Sequence, residues 1–282
     1  MRTRLFVPLV SFASILFLAF SFPVDRAVQA PPFEGSFSEK TMRLDYYHTG
    51  DAAHEILSLE RVVSDGSWAG SHERLIDDTN FGKYVFEILD GASGQLLYSR
   101  GFASLYGEWE TTAEAKSMTR TYHESLRFPW PKQPVRVVVK KRDDLTSFHE
   151  IGSFEIDPSA RSVNPRDLAP LGQVWTVFES GPPSDKVDIV LLGEGYTEEE
   201  LPKFHADARR LVDELFSTEP FKRRKSDFNV RAIDLPAAES GVSRPHAGKY
   251  RRNLAGAQYS IFDSERYLLT YDNRALRDIL SA

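Results

Sequence analysis

No cysteine occurs in the 282 residues, which excludes disulfides, a thiol nucleophile and a lipid carried on a cysteine. There is no Gly-x-Ser-x-Gly, so the nucleophile elbow of the α/β-hydrolases is absent as well. Histidine is scarce, at 7 residues, and no two of them stand four apart. Four are followed by glutamate, as His54-Glu55, His72-Glu73, His123-Glu124 and His149-Glu150, but the fourth position after each holds Ser58, Ile76, Arg127 or Ser153. The zinc-binding His-Glu-x-x-His pattern needs both rings on one helix face, and none of the four supplies the second ring. Gly193-x-Gly195 lacks the third glycine of a dinucleotide fingerprint and carries Glu194 where a phosphate would approach. Basic residues are in deficit too. A formal charge of −6 argues against nucleic acid as a partner, because phosphate binding needs a basic face. The one basic cluster, Lys222-Arg223-Arg224-Lys225, reads as a solvated turn after a helix.

The sole long apolar run lies at the N-terminus. Arg2 and Arg4 precede an uncharged stretch over 5–22, and Val28-Gln29-Ala30 places small residues at the positions a signal peptidase reads. Residues 1–30 are therefore expected to be a signal peptide cleaved after Ala30, giving a secreted or periplasmic protein. An uncleaved anchor is the alternative, since about 18 apolar residues can just span a bilayer. Beyond that segment no stable membrane insertion is expected. The remaining ~250 residues suffice for one large domain or two ordinary ones.

From 33 to 160 the pattern is β. Met42, Leu44, Tyr46 and His48 alternate with Thr41, Arg43, Asp45 and Tyr47, the period of a half-buried strand. Tyr84, Phe86 and Ile88 repeat it, run into the turn cluster Asp90-Gly91-Ala92-Ser93-Gly94, and return over 96–99 as a hairpin. A further strand over 135–139 follows the stiff Phe128-Pro129-Trp130-Pro131. Short strands with Gly, Pro and Asp punctuation predict an antiparallel β-sandwich. Residues 161–184 are crowded with proline and read as a connector, with one apolar stretch at 174–178.

After Asp185 the pattern changes. Val187-Asp188-Ile189-Val190-Leu191-Leu192 is nearly continuous in apolar character, as for a strand buried on both faces of a parallel sheet. Thr197 and Glu200 have capping-box spacing, and Leu201, Phe204, Ala208, Leu211, Val212 and Leu215 form one helical stripe. Residues 228–235 form a second strand, completing β-α-β, and a last helix opens near Asp272 with Leu276 and Ile279 on one face. Ligands gather beyond the C-terminal ends of such strands, which puts Glu194 and Tyr196 at the rim of a substrate cleft. The same residues would equally serve a turn that starts the helix.

The 187–197 segment resembles the opening of the catalytic domain in the immunoglobulin A peptidase family of zinc metallopeptidases. Further resemblances are Lys203-Phe204-His205-Ala206-Asp207, Ser226-Asp227-Phe228-Asn229-Val230, Glu239-Ser240-Gly241-Val242-Ser243 and Ser264-Glu265-Arg266-Tyr267. Residues 41–157, with Arg127-Phe128-Pro129 and Pro134-Val135-Arg136-Val137, resemble the β domain that precedes it. Glu194 departs from the aspartate more often expected there. The resemblance implies an α+β multidomain protein, with the β-sandwich followed by a zincin-like α/β domain over 185–282. It also implies zinc as cofactor and a protein or peptide as substrate. In such enzymes zinc lowers the pKa of a bound water toward ~7 and the motif glutamate takes its proton. These residues include no His-Glu-x-x-His, so no metal ligand and no catalytic residue is assigned; the second domain is expected to be truncated and inactive alone. The alternative is a non-enzymatic binding module whose sandwich docks protein or glycan. Exposed aromatics would serve that role, but Tyr46, Trp68, Trp109 and Trp130 read as core or edge packing.

Overall fold

The computed structural model describes residues 31–281; the expected signal peptide lies outside the described residues. In chain order the elements are α1 (Phe33–Ser36), β1 (Phe37–Gly50), β2 (Glu55–Ser67), β3 (Tyr84–Asp90), β4 (Leu96–Phe102), α2 (Leu105–Trp109), β5 (Arg120–Pro131), β6 (Val135–Arg142), β7 (Phe148–Ile156), β8 (Val163–Asp167), β9 (Gln173–Phe178), β10 (Val187–Leu192), α3 (Leu201–Leu215), β11 (Phe228–Asp234) and α4 (Asn273–Leu280). The chain is α+β and mostly β, with three sheets ordered β5-β1-β2-β8, β4-β3-β6-β7 and β10-β11-β9.

The first two sheets share one core. Met42, Leu44, Tyr46, Val62, Leu126 and Phe128 from one sheet meet Phe86, Ile88, Tyr98, Val137, Val139 and Ile156 from the other. Every second side chain of a strand faces the same way, so the alternation in β1 supplies this core directly. The expected hairpin forms as β3 and β4, with Ile88 opposite Tyr98. Three readings of this region need correction. First, the Phe128–Pro131 residues do not introduce a strand; they are the last four of β5, with Trp130 opposite Ser38 and Pro131 opposite Phe37. Prolines are tolerated there because β5 is an edge strand. Second, pairing is not wholly antiparallel, since β8 joins β2 in parallel. Third, β1 is not half-buried over 41–46: Arg43 and Asp45, on the face away from the core, are both 0 % exposed. Helix α4 covers them from the far end of the sequence.

The Pro-rich stretch carries structure of its own, with β8 closing one edge of the first sheet and β9 pairing antiparallel to β11. The expected β-α-β is present as β10, α3 and β11, with Val187 opposite Phe228 in parallel register. Strand β10 is an edge, however, not a strand buried on both faces. Val187 is 54 % and Val190 42 % exposed, because α3 covers only the face that carries Ile189 and Leu191. On α3, Phe204, Ala208 and Val212 are buried while Leu211 is 52 % exposed, so the apolar stripe is narrower than the sequence pattern. Helix α4 begins where expected, with the Asp272 carboxylate accepting from Ala275 N at 2.9 Å. Its Ile279 is buried beside Ile233, Leu235 and Ala255.

Candidate functional site

The C-terminal ends of β10 and β11 bring together Glu194, Tyr196, His205 and Asp234. Gly193 N donates to Ile233 O at 3.0 Å, which fixes the turn against β11. Gly195 takes φ of +81°, with Gly241 backbone 2.9 Å from where a Cβ would stand; a side chain there would be both strained and blocked. Glu194 is half-buried and its carboxylate accepts from Ala255 N at 3.3 Å and Ala257 N at 3.2 Å. It pins the later loop across the strand end. The Tyr196 hydroxyl lies 3.1 Å from Asp207 Oδ2, its ring packs on Phe204 at 5.2 Å between centroids, and Lys203 sits over it. The capping contact is made as the spacing predicts, with Thr197 N donating to Glu200 Oε2 at 3.0 Å.

A pair that sequence reasoning passed over stands beside them. His205 Nε2, on α3, lies 2.9 and 3.0 Å from the two carboxylate oxygens of Asp234, the last residue of β11. Trp175 Nε1, from β9, donates to the same carboxylate at 2.9 Å. Spacing motifs along the chain could not reveal it. The strand-end rule that selected Glu194 would have selected Asp234 had it been applied to the second strand. A carboxylate that holds an imidazole in one orientation readies it to take or give a proton at its other nitrogen. No serine, threonine or further histidine bonds to the pair among the described residues, so the pair lacks a nucleophile and a ligand set.

Among the described residues one group has metal-ligand types within reach, Asp45, Glu60 and His123, whose ligand atoms lie within 4.8 Å of one another. Its carboxylates are already occupied. Asp45 accepts from Ser125 Oγ at 2.6 Å, Arg61 Nε at 2.7 Å and Arg43 Nη2 at 3.2 Å. Glu60 accepts from Arg274 Nη1 at 2.6 Å and faces His123 Nε2 at 2.8 Å. A divalent cation would have to displace three guanidinium groups from a low-dielectric site, where like charges repel strongly. These residues do not fit zinc.

A second buried polar cluster lies at the other end of β1. His48 is held between Glu55, at 2.7 Å from Nε2, and Glu124, at 3.1 Å from Nδ1, and stacks on Tyr106 with 3.8 Å between centroids. Burial lowers its pKa, but the bonds to Glu124 and Glu55 outweigh burial and hold it above the ordinary 6.5. Lys141 bridges Glu55 and Glu110 at 2.6 and 2.7 Å. Every charge in the cluster has a partner, which marks a structural network between the two large sheets and not a reactive centre.

Comparison with known families separates the chain at β8. The model described as Peptidase M64 N-terminus matches residues 32–153, and the one described as IgA Peptidase M64 matches residues 176–282. No curated protein matches the chain. The two matches flank the Pro-rich stretch, in the order that the sequence motifs imply. By its first β unit and by the β-α-β with its strand-end turn, the chain belongs to the M64 family of IgA peptidases, carrying the N-terminal domain and part of the catalytic domain.

Proposed function

We propose that these residues supply the accessory β-sandwich and one wall of the zincin-like catalytic domain of an exported zinc peptidase. Its substrates would be proteins outside the cytoplasm or in the envelope. The family is one of zinc peptidases, yet catalytic zinc takes three protein ligands, and no described group fits the metal. Hydrolysis then requires a ligand set that is not found among the described residues. The observation that carries this reading is the pairing of both family matches, in order, with a sequence free of any His-x-x-x-His. The Arg-flanked apolar run before residue 31 supports export. Among the described residues no helix is long and apolar enough to cross a membrane. Glu194 and Tyr196 would line the cleft only through the loop and helix they position.

The binding-module reading finds no support in the aromatics. Tyr46 and Trp109 are fully buried, and Trp68 and Trp130 pack against the main core. The test is metal analysis with a proteolysis assay on the purified chain, together with its intact mass. The expected outcome is far less than one zinc per chain, no cleavage of a protein substrate, and a mass that starts at Pro31. Stoichiometric zinc would overturn the incomplete site, and a mass retaining Met1 would replace export by anchoring.

A further inference from the structure

A cavity of about 520 Å³ is bounded on one side by β4, α2 and β5 and on the other by α4 and the loop before it. That volume falls in the ~300–1,000 Å³ range of ligand pockets. Its charged lining is unbalanced. The two carboxylates are already engaged: Glu124 accepts from Tyr46 Oη at 2.7 Å and Tyr106 N at 3.1 Å, and Glu108 accepts from the Tyr267 hydroxyl. Three guanidinium groups, of Arg100, Arg127 and Arg277, line the same space. Arg127 pairs with Asp65 at 2.6 Å. Arg100 Nε donates only to the Tyr98 hydroxyl, at 3.3 Å. Among the described residues the Arg277 guanidinium has no hydrogen-bond acceptor and no carboxylate partner. It is half-buried, and burial, with Arg127 and Arg43 close by and only partly offset by the nearby Asp65 and Asp45, pushes its pKa below the ordinary arginine value. A half-buried cation with no directly bound counter-ion is costly, and an anion in the cavity would reduce that cost.

The rest of the lining narrows the ligand. Phe102, Leu105 and Leu276 offer apolar surface, while the hydroxyls of Ser104 and Thr270 keep their O–H groups available to a bound acceptor. We propose that this cavity binds the C-terminal residue of a peptide, its carboxylate held by Arg277 and Arg100 and its side chain by the apolar wall. An alkyl acid would satisfy the arginines but offer the hydroxyl donors no acceptor, whereas a peptide carbonyl would supply one. The proposal goes beyond the peptidase reading and does not require hydrolysis by this chain.

Calorimetric titration of the full chain tests it with four probes: acetyl-alanyl-leucine, the same peptide as its C-terminal amide, acetate, and decanoate. The acid peptide should bind about tenfold or more tightly than the amide, as the loss of one charge-assisted pair implies, and more tightly than acetate or decanoate. Arg277→Gln and Arg100→Gln should each weaken the acid peptide by about tenfold and leave the amide unchanged. Arg100 is on an exposed strand position, so its variant keeps the test valid should Arg277→Gln disturb α4, which circular dichroism would report. Equal affinity for acid and amide, or unchanged acid affinity in both variants, overturns the proposal. Acetate or decanoate binding as tightly as the acid peptide overturns the peptide assignment.

Discussion

Arg43 shows how little a strand pattern says about its outward face. It alternates with Met42 and Leu44 and so reads as solvent-facing, yet its guanidinium is buried among Asp45, Asp65 and Asp278, with Nη1 donating to Arg277 O at 2.9 Å. The partner on α4 is 235 residues away in sequence, and no local signal announces it. His48 carries a pH dependence that can be stated with its sign. Its pKa is raised on folding, so the folded state binds the proton more tightly than the unfolded chain. The stabilisation is complete below the ordinary 6.5 and is lost as pH rises through the folded value. Urea unfolding across that range should show the intact protein losing stability as the imidazolium deprotonates. His48→Gln should remove this slope and be most destabilising on the acid side. A variant that keeps the slope would assign it to another group.

The β10–α3–β11 unit was legible element by element. Its turn, its capping contact and its helix start depend on neighbours within a few residues, and local physics is written in local sequence. Glu200→Ala should cost about 1 kcal/mol through the lost bond from Thr197 N. Phe204→Ala, at a buried contact with Trp175 and Tyr196, should cost about 3–5 kcal/mol. Leu211→Gln should stay within ~0.5 kcal/mol, as expected of a surface change, because the side chain is exposed. Denaturant midpoints at constant slope would rank the three, and a Leu211 effect as large as that of Phe204 would contradict the narrow stripe. Edge or centre could not be read for β10. An apolar run marks a strand, but its place in the sheet depends on β9, which lies in a stretch dominated by proline and pairs with β11, about 55 residues away.

The first two sheets and the later β-α-β are joined in two ways, through β8 and through α4. Val163 is buried in the main core and pairs beside Val62. Fragments ending at residue 160 or at residue 170 both lose α4 and the β-α-β unit, but only the shorter one also loses the edge strand β8. Both should unfold cooperatively, with the longer fragment at the higher urea midpoint, and the intact chain should exceed both because α4 neutralises and covers Arg43 and Arg61. Equal midpoints for the two fragments would show β8 to be an ornament of the packed chain.

Strand periodicity, the hairpin turn, the cap before α3, the helix start at Asp272 and the family motifs were all decided along the chain, because each rests on interactions within one element or one turn. The missing zinc motif was equally plain, since a ligand pair on one helix face must appear at fixed spacing. Only the folded structure decided that Arg43 and Asp45 are interior and that His205 meets Asp234. It alone gathered Arg100, Arg127 and Arg277 around one cavity. Those facts join side chains from elements separated by tens to hundreds of residues. Alternation records that a side chain points away from a core, and what covers it there is set by the packing of the other elements.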